Sequence, residues 1–158
     1  MKIQNVNRWL TLGANIGVVI GIAFLIVEIN QNTITTRIAA RNSATQGHIE
    51  YMGHMLDSSI LASAAAKTWA NQELSHLETT QLVIFHELRW RHYEAVFYLH
   101  QNGVISDQEW IGYESGIAQL FQDDGVFWKI GRDSWENTKA KLSRDFVVYV
   151  EELVTHLQ

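Results

Sequence analysis

Between Arg8 and Glu28 stand 19 consecutive uncharged residues, WLTLGANIGVVIGIAFLIV, of which 14 are strongly apolar. At 1.5 Å of rise per residue a helix of that length covers about 28 Å, close to the thickness of a hydrocarbon core. A run this long without charge is uncommon inside a small soluble domain, so residues 9–27 read as a transmembrane helix. Trp9 sits where an indole favours the headgroup region, and Glu28, Asn30, Gln31 and Asn32 mark the return to water. A cleaved signal peptide is the competing reading. It fits less well, because the apolar stretch exceeds the usual 7 to 15 residues and no A-x-A site follows it.

Within the span, Gly13, Gly17 and Gly21 recur at i, i+4 and i+8 and therefore line one stripe of the helix, with Ile16, Val18 and Ile20 as stiff branched walls beside it. In lipid, helix association draws on close backbone approach because the hydrocarbon offers no hydrophobic incentive, and a small-xxx-small stripe provides that approach. The expected partner is a second copy of the chain or another membrane protein, with membrane lipid around both.

The chain has 158 residues, a length for one domain by the usual prior of about 100 to 200 residues. Its 12 basic and 17 acidic residues give a net charge of -5, which argues against a nucleic-acid partner held by phosphate neutralisation. No cysteine is present, and that excludes disulfides, thiolate zinc sites, iron–sulfur clusters and cysteine nucleophiles together. No proline is present either, so nothing of that kind interrupts long helices. Charge is unevenly spread: residues 1–41 carry Lys2, Arg8, Arg37 and Arg41 against Glu28, so the positive end lies near the membrane. Lysine and arginine counts on the two sides of the span tie, leaving orientation open.

After the span, Ile34, Ile38, Thr45, Ile49, Met52 and Leu56 recur at threes and fours, so the membrane helix is expected to continue as an amphipathic stalk ending near Asp57 to Ser59. An alanine-rich helix over about residues 60–69 follows. Two capping boxes then mark helix starts: Ser75 with Glu78 opens a helix to Asn102, stopped by Gly103, and Ser106 with Glu109 opens one to about Gln122. A fifth helix is expected over about residues 126–140, and Ser143 is placed to cap a last one through Leu157. The fold class is all-α: a tail and transmembrane helix over 1–29, a helical stalk over 30–57, and a helical domain of about five shorter helices over 58–158.

The runs LIVEINQNTITTRIAARNSA, EAVFYLHQNGVISDQEW, VFWKIGRDSW and LSRDFVVYVEEL together resemble an uncharacterised family of small bacterial proteins with one N-terminal membrane helix and a helical C-terminal domain. The resemblance covers nearly the whole chain and falls on Gln31, Asn32, Tyr98, Gly103, Trp110, Trp135 and Phe146. It implies a single-pass protein of the bacterial inner membrane. It also implies, through the arginines after the QN junction, here Arg37 and Arg41, a cytoplasmic helical domain. It implies no activity. The residues that carry it read as structural: Gly103 as a helix stop, Trp110 and Trp135 as buried anchors, and Phe146 as the packing residue of the last helix.

Chemical motifs are sparse. In HELRW, Trp90 stands where the second histidine of a metalloprotease HExxH must be. Only one Glu-x-x-His unit exists, Glu73 with His76, where a di-iron bundle needs two. Glu50 with His54 and Glu152 with His156 have i, i+4 spacing that ordinary solvated helix pairs share. The GYESG stretch places Ser115 at the wrong position for a nucleophile elbow, within a helix that no strand precedes. No metal site and no cofactor are expected. The densest polar and aromatic cluster lies on the long helix, where His86, Arg89, Arg91 and His92 could form a patch for an anion, a headgroup or a partner helix. A solvated face beside a buried aromatic one is the plainer account of that cluster. The favoured role is non-enzymatic, a scaffold or accessory subunit associating through the membrane helix; the alternative is a small-molecule sensor or enzyme with a pocket among the short helices.

Overall fold

The computed structural model describes the backbone of residues 2–157 and the side chains of residues 7–157, so the Lys2 side chain counted above lies outside the described residues. Among these, the chain is helical throughout its regular structure. In order it forms α1 (Lys2–Asp57), α2 (Ser59–Trp69), α3 (His76–Gln101), α4 (Asp107–Gln122), α5 (Val126–Thr138), a single 3-10 turn (Lys139–Lys141) and α6 (Arg144–Leu157). The all-α expectation holds. Two compact units are distinguished, Met1–Ala39 and Ala40–Gln158, so the last part of α1 belongs with the shorter helices.

In the first unit α1 is long and apolar enough to cross a membrane, and its most apolar stretch has no buried residue. Trp9 and Phe24 are each 72 % exposed, and the isoleucines, valines and leucines between them are open as well. Each such side chain is worth about 1.5–3 kcal/mol when removed from water. A helix of this kind needs lipid or other helices around it.

In the second unit α3 is central: α2, α4 and α5 pack on it, and α4 also packs on α5 and α6. The starts fall where capping chemistry puts them. Ser58 Oγ accepts from Leu61 N at 3.2 Å at the head of α2. Complete capping boxes open α3 at Ser75 and Glu78, and α4 at Ser106 and Glu109. Gly103 ends the α3 turn with φ of +66°, the left-handed region that costs a side chain but not a glycine, while its N–H donates to the His100 carbonyl at 2.8 Å.

The stalk residues Ile49, Met52 and Leu56 do not face the bundle; Leu56 is 80 % exposed. The packed face lies one residue around the helix, where Ala44 meets the larger core cluster and Tyr51 and Met55 the smaller one. On that face Ala44 and Gly47 allow close approach, with Gly47 leaving only 3.5 Å between its missing Cβ and the His92 ring. Two expectations, the length of α5 and the cap of α6, need correcting. Helix α5 stops at Thr138, and the 3-10 turn follows instead of a longer α-helix. Ser143 does not cap α6 by its side chain: its Oγ is buried without a hydrogen-bond partner, and its N–H donates instead to Glu94 Oε1 from α3 at 2.6 Å.

The larger core cluster gathers Trp90, Phe97, Trp110, Trp135, Phe146 and Val150. Trp110 and Trp135 are buried anchors and Phe146 packs α6 into them, whereas Tyr98 is 40 % exposed. Polar tips are satisfied from the rim: Trp110 Nε1 donates to Tyr149 Oη at 2.8 Å, and Tyr149 in turn donates to Glu114. The smaller cluster, Leu61, Ala64, Leu82, Phe85 and Phe127, ties α2 to α3 and α5.

Glu78 joins two helices. Its carboxylate accepts from the Ser75 backbone N–H at 2.8 Å, from Ser63 Oγ at 3.1 Å, and pairs with Lys67 Nζ at 2.8 Å. Lys67 first, then the Ser75 N–H, hold its pKa at about 2, below the ordinary 4.5. The charged form therefore stabilises the fold above pH 4.5, and that contribution is lost as pH falls from 4.5 toward 2. We expect Glu78→Gln to flatten the thermal midpoint of the second unit across that window relative to wild type. Superimposable pH profiles of the two proteins would contradict this.

Candidate functional site

The buried face of α3 carries His86, Arg89, Trp90, Tyr93, Val96 and Phe97, the three-and-four spacing of one helix side. Of the four patch residues anticipated from sequence, His86 and Arg89 lie on this face, and His92 lies at its edge toward α1. Arg91 points away, half-exposed and paired with Glu94 at 3.3 Å. The four do not form one surface patch. The solvated-face account holds for Arg91 but not for Arg89, which is 9 % exposed.

His86 is fully buried, and neither ring nitrogen meets hydrogen-bond geometry with a protein atom. Its ring packs against Phe127 at 4.7 Å and Phe85 at 5.6 Å between centroids. Gly131 on α5 makes room for it, since a Cβ there would stand 3.0 Å from the ring and 2.5 Å from Leu120 Cδ2. Burial, with the Arg89 charge acting in the same direction, holds the His86 pKa down to about 3 against a smaller opposing effect of the Phe127 backbone.

Arg89 has no carboxylate partner among the described ion pairs. Its Nε donates to Tyr93 Oη at 2.9 Å and its Nη2 to the Gly116 carbonyl at 3.3 Å. The guanidinium also lies 5.3 Å from the Tyr93 ring centroid and 5.6 Å from that of Trp128. Gly116 is required here, because a Cβ would fall 2.6 Å from Tyr93 Oη.

Beside this pair, His92 lies nearly parallel to Tyr51 at 6.0 Å and 5.4 Å from the His48 ring. Its Nε2 is buried and unpartnered. Burial, then His48, lowers its pKa to about 4. Tyr51 is pushed up to about 12 by burial, with the Arg89 charge opposing. A cavity of about 230 Å³ opens next to these rings, lined by His48, Tyr93, Gly112 and Tyr113.

Sequence reasoning found the α3 residues but missed His48 and Tyr51 from the end of α1, Tyr113 and Gly116 from α4, and Trp128 from α5. The one local signal was the Gly112 and Gly116 pair within GYESG, read above only as a failed nucleophile elbow. Ser115 itself donates to the Ile111 carbonyl at 2.7 Å on the exposed side of α4. Among the described residues no three histidine, aspartate or glutamate side chains converge as metal ligands. Gly13, Gly17 and Gly21 have no atom within 4 Å of where a Cβ would stand, so their stripe is open.

No protein-family model, curated protein or solved structure matches this chain.

Proposed function

We propose that this chain is a single-pass membrane protein of the bacterial inner membrane, a member of the uncharacterised family it resembles, and a non-enzymatic scaffold or accessory subunit. Its membrane helix associates with a second copy or another membrane protein through Gly13, Gly17 and Gly21, and its helical domain is presented on the cytoplasmic side. The observation that carries this reading is the first unit itself: an apolar helix with no buried residue in its most apolar stretch and an open glycine stripe along it. In lipid such a stripe gains only by meeting another backbone. The exposed Ile34 and Ile38 of the same unit would extend that contact beyond the lipid.

Gly17→Ile tests this. Isoleucine is favourable in hydrocarbon, so insertion and the helical fold should persist. Association should weaken by at least about tenfold, equivalent to 1.4 kcal/mol, because a branched side chain then separates the helices. Crosslinking in native membrane and sedimentation in detergent read the effect. Equal association of wild type and Gly17→Ile, or a monomeric wild type in both assays, would end the association model.

A second reading, a small molecule held among the short helices, is favoured by one specific observation: the buried Arg89 guanidinium has no acidic partner while a cavity lies beside its tyrosine neighbour.

A further inference from the structure

We propose that the cavity lined by His48, Tyr93, Gly112 and Tyr113 binds a small aromatic carboxylate, whose charge is met by the Tyr93 hydroxyl and the Arg89 guanidinium behind it. The proposal rests on the second reading above and gives that ligand its chemistry.

A buried cation is costly unless paired, and arginines in protein interiors are ordinarily matched by a carboxylate. Among the described residues Arg89 is matched only by neutral groups: a hydroxyl, a backbone carbonyl and two aromatic faces. The groups that face it are neutral too. His86 is kept unprotonated at neutral pH by burial, and Tyr51 is kept protonated by burial. The acid on the cavity side of α4, Glu109, is already engaged. It pairs with Arg41 at 2.6 Å and accepts from the Ser106 N–H at 3.0 Å.

Donors therefore exceed acceptors in this region. Tyr93 Oη accepts from Arg89 Nε, while its own proton has no acceptor among the described residues. A phenol that accepts from a guanidinium becomes a stronger donor, because hydrogen bonds in a chain polarise one another. The Tyr93 ring lines the cavity and its hydroxyl touches Arg89, so the charge is read through one side chain.

The walls define the rest of the ligand. His48 and Tyr113 provide flat faces, and Gly112 leaves the α4 side open to a planar group. An open hollow with aromatic walls would otherwise suit a cation, but Arg89 already lies against the Tyr93 ring and repels one. A single guanidinium with neutral donors matches one negative charge, and a dianion such as phosphate would need more cations than the site has.

The test uses the full chain in detergent, with benzoate as the probe and benzamide as its neutral counterpart. Calorimetric titration should give benzoate a Kd of about 1 mM or tighter, and benzamide should bind at least about tenfold more weakly. Tyr93→Phe should lose about tenfold in benzoate affinity while remaining folded. Arg89→Met should abolish benzoate binding yet keep or raise the thermal midpoint, because an uncompensated buried cation is removed; a merely structural arginine would lower it. If Arg89→Met does not fold, Tyr93→Phe alone decides. Equal binding of benzoate and benzamide would overturn the carboxylate proposal and leave a small-molecule site standing. Preference for inorganic phosphate over benzoate would overturn it likewise. No binding of any of the three at on the order of 10 mM would remove both the proposal and the reading beneath it.

Discussion

Trp90→Ala is expected to destabilise the second unit by about 3–5 kcal/mol, the cost of emptying a fully buried indole site. Trp90 has no exposed surface, and its ring lies 4.7 Å from Trp135 and 6.1 Å from Phe121, so α3, α4 and α5 all lose contact at once. Its Nε1 donates to Ser134 Oγ at 3.0 Å, but Ser134 keeps its own bond to the Gly131 carbonyl at 2.7 Å. The loss is therefore one of packing more than of an orphaned polar group. Against a typical total stability of about 5–15 kcal/mol this is a large fraction. Trp135→Ala removes the facing half of the same contact and should cost a similar amount. Denaturant unfolding of the full chain in detergent, followed by far-ultraviolet dichroism, reads the change; a loss below about 1 kcal/mol would show that the ring is not a packing centre.

Acidification should unfold the second unit between pH 6.5 and 3, with His86 as the main cause. The unfolded imidazole titrates near 6.5 and the folded one near 3, so between those values the unfolded state binds the extra proton. Stability is fully present above pH 6.5 and falls as pH drops toward 3, by on the order of 4 kcal/mol across the window. His92 acts in the same direction between pH 6.5 and about 4, but it is less enclosed and contributes less. His86→Leu should remove most of this slope. At neutral pH it should be neutral or stabilising, by about 1–3 kcal/mol at most, because two buried nitrogens without partners are replaced by hydrocarbon. Parallel stability profiles for wild type and His86→Leu from pH 7 to 4 would refute the assignment. The Glu78 contribution is separable, since it is lost only below pH 4.5.

Local sequence patterns suffice for the helical class, the apolar span and most helix starts. Those features are local: a run of 19 uncharged residues has few alternatives to a helix in lipid, and a capping box satisfies orphan N–H groups within four residues of chain. Gly103 is of the same kind, because a left-handed φ is a property of one residue. Where a local signal had to compete with packing, it failed. Ser143 stands at the start of α6 with the right chemistry for an N-cap, but its Oγ is buried without a partner while its N–H is held by Glu94 from α3. Which side of α1 meets the bundle is likewise a matter of packing: Ala44, Gly47 and Tyr51 face it, since close approach to His92 and Phe85 demanded small or flat residues.

The candidate site belongs wholly to that second category. His86, Arg89 and His92 were visible as unusual residues on one helix, but nothing in their spacing separates a solvated cation from a buried one. That distinction is made by Gly116 and Gly131, whose missing side chains let α4 and α5 close over Arg89 and His86. The environment of a charge is set by residues distant in sequence, through burial and the absence of a counter-ion. Packing between helices places Tyr51, Tyr93 and Trp128 around one guanidinium and, among the described residues, leaves it without an acid.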